Sequence, residues 1–223
     1  MTTTTAIAVR PLITVNGPWT WEGRCRGLPF SSSMVLKTKA EIKTETRRIV
    51  KGEPLRWLDE AGFTPGFVAL RENGLSPYGY TGDRLWVRES WQSWEDPVSG
   101  VDHIRYRADD EKLPIPDTAQ ASDFVIGKFG RWRPGRFMPR WASRLTLEIT
   151  GLRIERLQAI DESGARAEGF SADPIPGRVN GKLANIAFFD PLRWYAALWD
   201  AINGEGSWRS NPWVWIVSFK LVK

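Results

Sequence analysis

The densest chemistry in this sequence is cationic and aromatic. Residues 131–144, RWRPGRFMPRWASR, hold Arg131, Arg133, Arg136, Arg140 and Arg144 without a single acid, and Trp132, Phe137 and Trp141 are interleaved among them. Guanidinium groups hold phosphates bidentately and aromatic rings stack on bases, so the mixture suits single-stranded or flipped-out nucleic acid. The plain alternative is a loop with solvated arginines whose rings anchor it to the core. A second cationic run joins Lys37, Lys39, Lys43, Arg47, Arg48 and Lys51, diluted by Glu41 and Glu45. The net charge of +5 permits a polyanionic partner.

Scarcity excludes other chemistry. The chain of 223 residues has one histidine, His103, and one cysteine, Cys25. These two cannot build a Cys/His zinc site, which takes three or four such ligands, so no metal site is expected. The zinc deaminase pattern is absent for the same reason. His103 lies in a polar, turn-like stretch and reads as an exposed loop histidine, not as part of a Ser-His-Asp triad. Catalysis must therefore draw on Lys, Thr, Ser, Asp, Glu, Tyr or Arg, and no cofactor is called for. A single cysteine allows no intrachain disulfide and fits a reducing, cytoplasmic setting. No apolar stretch is long enough to span a bilayer, so no membrane partner is expected.

Hydrophobic content of 42% and charged content of 26% describe an ordinary globular chain that can bury a core. Most of the 13 tryptophans are expected in that core. Residues 1–28 read as a disordered tail and lead-in, and 29–223 as one domain with insertions near 92–136 and 171–189. MVLKTKAEIKTETRRIV, residues 34–50, has no Gly or Pro and is expected to be a helix with its last turn near Arg47. Residues 52–83 read as irregular, punctuated by Pro65-Gly66, Ser76-Pro77 and Gly82-Asp83. Alternation predicts strands at 84–91 and 144–157, the latter bent at Gly151, and a weaker strand at 104–108. Asp161 caps a short helix to Ala167 that Gly169 stops. Asp190 and Pro191 open another helix that runs to Asn203-Gly204, with Leu192, Tyr195, Leu198, Trp199 and Ile202 as its apolar stripe. WVWIVSFKL, 213–221, is apolar on both faces and predicts a central strand. This order fits an α+β fold, a small, mixed, mostly antiparallel β-barrel with flanking helices.

Five phrases taken in order resemble the ASCH family, a PUA-like β-barrel group, and in particular its longer phage and prophage members. They are Phe30-Ser31 leading to Lys43-Thr44-Glu45-Thr46-Arg47-Arg48; Pro77-Tyr78-Gly79 with Gly82-Asp83-Arg84-Leu85-Trp86-Val87-Arg88-Glu89; Met138-Pro139-Arg140-Trp141-Ala142-Ser143-Arg144; Ala165-Arg166-Ala167-Glu168-Gly169; and Asn211-Pro212-Trp213-Val214-Trp215. The resemblance implies a PUA-like barrel whose cleft accepts RNA or a modified base. It also implies an amidohydrolase chemistry found in compact members, the removal of an acyl group from the exocyclic amine of cytidine. Carried over by position, the catalytic residues become Lys43, Thr46 and Glu168, with Arg48 beside the pocket. Arg47, Arg48, Arg140, Trp141 and Arg144 become candidates for contacts to a nucleic acid. The stretch before Lys43, Lys37-Thr38-Lys39-Ala40-Glu41-Ile42, departs from the family's apolar run and Gly, which predicts a less buried lysine.

The chemistry is coherent on its own terms. A lysine whose pKa is lowered by burial or by nearby arginines can act as base toward a threonine hydroxyl, and a carboxylate can orient the lysine or protonate a leaving amine. If the helix continues that far, a spacing of three puts Lys43 and Thr46 on one face. The plain alternatives are a surface lysine, a threonine at a helix end and a solvated glutamate. Three functional readings follow: an enzyme on acylated cytidine, a non-catalytic reader of RNA or modified DNA bases, and a ribonuclease. Partners would be RNA, other single-stranded nucleic acid or a modified nucleoside. A metal-dependent nuclease of the restriction type fits less well, because Leu147-Glu148-Ile149-Thr150 lacks the Lys of a Glu-x-Lys strand.

Overall fold

Strand Trp213–Leu221 has Val214, Trp215, Ile216 and Val217 fully buried, and it lies where a strand apolar on both faces belongs. It is β10 in a computed structural model that describes residues 25–98, 100, 102–115, 130–171, 175–179, 182–186 and 188–222. The elements are β1 (Cys25–Pro29), α1 (Ser32–Lys39), β2 (Glu45–Ile49), α2 (Glu53–Asp59), α3 (Pro65–Val68), β3 (Arg84–Arg88), β4 (Trp91–Glu95), β5 (Asp102–Tyr106), β6 (Lys112–Pro114), β7 (Thr146–Arg156), α4 (Glu162–Ala167), β8 (Ile175–Val179), β9 (Lys182–Ile186), α5 (Pro191–Asn203) and β10. The predicted tail lies almost wholly outside the described residues, as do parts of both insertions.

The main sheet has the order β1-β3-β7-β10-β2. Only the β1–β3 pair is parallel. The class is therefore α+β with mostly antiparallel sheets, as expected, but the sheet is not a closed barrel: among the described residues no backbone ladder joins β1 to β2. A side chain spans the seam instead, where the Arg48 guanidinium on β2 donates to the Pro29 carbonyl on β1 at 2.8 Å. Between Ser218 and Phe219 of β10 the register against β7 shifts, with Ser218 opposite Gly151 and Phe219 opposite Ile149. Thr150 is the extra residue of a bulge at the predicted bend.

Three expectations fail for one shared reason, that tertiary pairing overrides local propensity. The helix expected over 34–50 stops at Lys39. Glu41 takes a positive φ of 56°, the N–H groups of Ile42 and Lys43 both reach back to the Lys37 carbonyl, and residues 45–49 become an edge strand on β10. The irregular reading of 52–83 is corrected by α2 and α3, whose prolines sit at helix starts. Those helices help cover Trp215 and Ile154 on one side of the sheet, with Leu58 and Val68 buried there. His103 is not on a loop but on β5, half-buried, with its ring 5.6 Å from that of Trp94 across the ladder. Both predicted capped helices are present as read. The Asp161 carboxylate accepts from Gly164 N–H, and the Asp190 carboxylate accepts from Leu192 and Arg193 N–H. The inward face of α5 differs from the predicted stripe: Trp194, Tyr195 and Trp199 are buried, while Ile202 is 63% exposed.

The first insertion carries its own sheet, β4-β5-β6, over a small core of Trp91, Ile104, Tyr106, Met138 and Ala142. An ion cluster fastens it to the main sheet. Arg144 binds the buried Glu89 carboxylate in a two-pronged fork (2.8 Å for each prong) and also Asp109 (2.9 Å) and Glu111. Lys39 at the end of α1 joins the same two acids at 2.7 and 2.9 Å. Burial pushes the Glu89 carboxyl above its ordinary value, against the pull of Arg144. Removing Arg144 leaves that carboxyl buried without a cation. The variant Arg144→Met is therefore expected to lose about 3 kcal/mol of stability in urea unfolding at neutral pH. A glutamate with a raised folded-state pKa binds its proton more tightly when folded, so stability tied to it falls as pH rises. The gap between Arg144→Met and the parent should accordingly narrow as the solution is acidified.

Candidate active site

Lys43 follows α1 directly and precedes β2, and the turn at Glu41 swings it inward. Only 3% of the residue is exposed, against the expectation of a less buried lysine. Its ammonium donates to Glu168 Oε2 at 2.6 Å, to the Glu45 carbonyl at 2.7 Å and to the Glu168 carbonyl at 3.1 Å. Glu168 is the C-cap of α4 and is 4% exposed. Its second carboxylate oxygen faces the Arg47 guanidinium at 3.4 Å and accepts from the Tyr195 hydroxyl of α5 at 3.2 Å. Strand β2, helix α5 and the turn before β2 thus converge on a carboxylate at the end of α4.

The local backbone makes this approach possible. Gly169, just past α4, holds φ at +95°, and a Cβ there would stand 3.1 Å from Lys37 Cδ and 3.3 Å from Lys43 Cβ. Only glycine combines that φ with that space. Thr44 N–H donates to the Ala167 carbonyl at 2.8 Å, and Phe219 N–H donates to the Thr44 carbonyl, so the lysine's own turn is pinned to α4 and to β10.

A cleft of roughly 590 Å³ opens above this group, between the C-terminal end of β1, β2 and α5. That volume falls within the range of about 300–1,000 Å³ usual for small-molecule sites. Lys43, Thr46, Arg47, Arg48 and Glu168 all line it. Thr46 and Lys43 do not share a helix face, since Thr46 sits on β2, yet both line the cleft. Among the described residues nothing hydrogen-bonds the Thr46 hydroxyl. Phe30 forms another wall, with the Lys43 ammonium 5.6 Å and the Arg48 guanidinium 6.0 Å from its ring centre.

Electrostatically the site is a buried ion network. Burial lowers the Lys43 pKa, and Arg48 and Arg47 add to the lowering, while Glu168 opposes it. Burial and the Glu168 charge hold the Tyr195 hydroxyl well above its ordinary pKa, so it remains a donor. Sequence reasoning took Tyr195 only as part of an apolar stripe. Its hydroxyl on the inward side of a helix, where a pure hydrophobe suffices for packing, is the signal that marks it.

The remaining candidates fall elsewhere. Arg47 is 5% exposed and committed to Glu168 and Glu45. Arg144 is spent on the Glu89 cluster, and neither it nor Arg140 nor Trp141 lines the cleft. No family model matches the chain, and neither a curated protein nor a solved structure matches it.

The carboxylate of Glu168 is what makes the lysine tolerable in this interior. In Glu168→Gln the charges of Lys43 and Arg47 lose their shared anion, with an expected loss of about 3–5 kcal/mol at neutral pH. A lysine whose folded-state pKa lies below its unfolded value releases its proton more readily when folded, so stability rises with pH between the two values. The deficit of the variant should shrink, without vanishing, as the pH is raised; a pH series of chemical denaturation curves measures it.

Proposed function

We propose that this protein is an ASCH-type amidohydrolase with a PUA-like sheet, and that it removes an acyl group from the exocyclic amine of a cytidine-type nucleoside. The observation that carries the reading is the lining of the cleft. A buried lysine with a lowered pKa is held by a carboxylate in the cleft, which is also lined by a threonine whose hydroxyl has no hydrogen-bond partner among the described residues. The resemblance selects the same three residues, Lys43, Thr46 and Glu168.

In this scheme neutral Lys43 accepts the Thr46 hydroxyl proton as Thr46 Oγ1 attacks the acyl carbonyl carbon. The proton passes to the departing exocyclic nitrogen as the C–N bond breaks, which frees cytidine and leaves the acyl group as an ester on Thr46. A water then attacks the ester, giving up its proton to Lys43, and the carboxylic acid leaves with the threonine hydroxyl restored. Glu168 orients the amine through the 2.6 Å contact and stabilises its ammonium form between the two proton transfers. Tyr195 and Arg47 hold Glu168 in turn, so they are positioning residues. The Phe30 ring and the Arg48 guanidinium offer flat surfaces for the pyrimidine.

The test is turnover of a panel of acylated cytidines followed by mass spectrometry. Lys43→Ala, Thr46→Ala and Glu168→Ala should each lose on the order of 10³ or more in kcat/KM, because residues that act as a unit fail together. Lys39→Ala, outside the cleft, serves as the control. The base form of Lys43 is the active one, so kcat should fall as pH drops through a pKa lying below the ordinary lysine value. Parent-like turnover by Lys43→Ala would refute the assignment. Binding of a modified nucleoside without turnover across the panel would instead identify a reader of modified bases.

A further inference from the structure

We infer that the segment 131–140, together with Arg88 and Arg107 beside it, is a binding surface for single-stranded nucleic acid, separate from the Lys43 cleft. The surface consists of arginines set against aromatic rings. On β3, Leu85 and Val87 turn into the main core, while Trp86 and Arg88 lie on the opposite side, where the Trp86 ring is half-buried against the core of the first insertion. The Arg88 and Arg140 guanidiniums each lie 5.7 Å from the Trp86 ring centre. Arg107 lies 5.8 Å from Trp132, and Arg136 lies 4.7 Å from Phe137. None of these residues lines the cleft.

The three ring and arginine stations sit on segments laced side by side. Trp91 and Arg133 exchange backbone hydrogen bonds of 3.1 and 2.7 Å, and Arg107 N–H donates to the Ser90 carbonyl at 2.9 Å. Gly135 presses so closely on Arg88 that a Cβ would stand 2.9 Å from its carbonyl oxygen. The segment therefore runs along β3 and the start of β4 and carries its arginines with it.

Charge bookkeeping distinguishes this surface from the other arginines. Arg144 is neutralised by Glu89, and Arg105, which shares the Trp132 ring, by Asp110. Among the described residues no carboxylate pairs with Arg88, Arg107, Arg136 or Arg140. Arg107, Arg136 and Phe137 are exposed, the last by 49%. A guanidinium held against a ring keeps its N–H edge free for a phosphate, while the neighbouring ring offers a face to an unstacked base. An acidic protein would satisfy the charges and leave the rings unused, and a duplex would hide its base faces from them. A single strand meets both demands.

The experiment is fluorescence anisotropy of the full chain with labelled oligouridine and oligothymidine of about 12 nucleotides, titrated at several salt concentrations. The parent is expected to bind near 50 mM salt and to weaken steeply as salt rises; the two oligomers separate RNA from DNA as the preferred strand. Replacing Arg88, Arg107, Arg136 and Arg140 by Gln should weaken binding at least tenfold and reduce the salt slope by about 3, at roughly 0.7 per phosphate contact. Phe137→Ala should weaken binding by about fivefold or more with the slope unchanged, as loss of a stacking face demands. Thermal melting of each variant confirms its fold. Lack of binding by the parent overturns the inference, as does unchanged affinity in the fourfold variant. So does equal affinity for polyphosphate or for anionic vesicles together with indifference to Phe137→Ala. Turnover of acylated cytidine by the fourfold variant should stay at the parent level, so a failure of this surface and a failure of the cleft chemistry are read separately.

Discussion

The 2.6 Å contact between Lys43 and Glu168 is the constraint on which the rest of the site depends. The two residues are 125 positions apart, and each alone would be a charge in an interior that does not tolerate one. Together they tie the approach to β2 to the end of α4, and Tyr195 adds α5 to the same knot. Burial of an ion pair is a poor source of net stability, since desolvation offsets most of the attraction. Its effect here is to fix the relative placement of three elements around a cleft and to keep an amine and a carboxylate at a shared distance. The φ of Gly169 and the turn at Glu41 are the backbone conditions for that closeness.

The basic residues of this chain have three separate fates, although composition lumps them together. Arg47 and Arg144 are internal struts, each facing a buried carboxylate. Lys43 is held in a buried position that lowers its pKa. Arg107 and Arg136 stand in solvent against rings, with no carboxylate beside them among the described residues. The net charge of +5 therefore says little about where an anion would be met. What separates the three classes is the number of acids the fold brings to each arginine or lysine, which is a long-range property of the chain.

This is also where the sequence was legible and where it was not. Segments whose identity depends on their own pattern were readable: β10 by its apolar run on both faces, α4 and α5 by Asp161 and Asp190 at their starts, and the β7 bulge by Gly151. Segments defined by a distant partner were not. Glu45-Thr46-Arg47-Arg48-Ile49 has the composition of a helix and becomes a strand because β10 offers it a ladder. Lys43 looked exposed because its neighbours are polar, and it is buried because α4 and α5 close over it. Lys43, Thr46 and Glu168 all line one cleft, although the helical spacing that first suggested a shared face for two of them is absent.

The seam between β1 and β2 carries one more consequence. An unpaired strand edge is a template on which another molecule's strand can dock, and chains with such edges tend to associate. The cleft opens at this edge, with Pro29 and Arg48 among its lining residues. Yet Pro29 presents no N–H for an incoming strand to use, and its carbonyl is already taken by Arg48. A flexible charged side chain thus spans the gap where no ladder forms, and the last residue of β1 offers an incoming strand neither a donor nor an unclaimed carbonyl. Arg48 therefore blunts one end of an exposed sheet edge and at the same time lines the cleft.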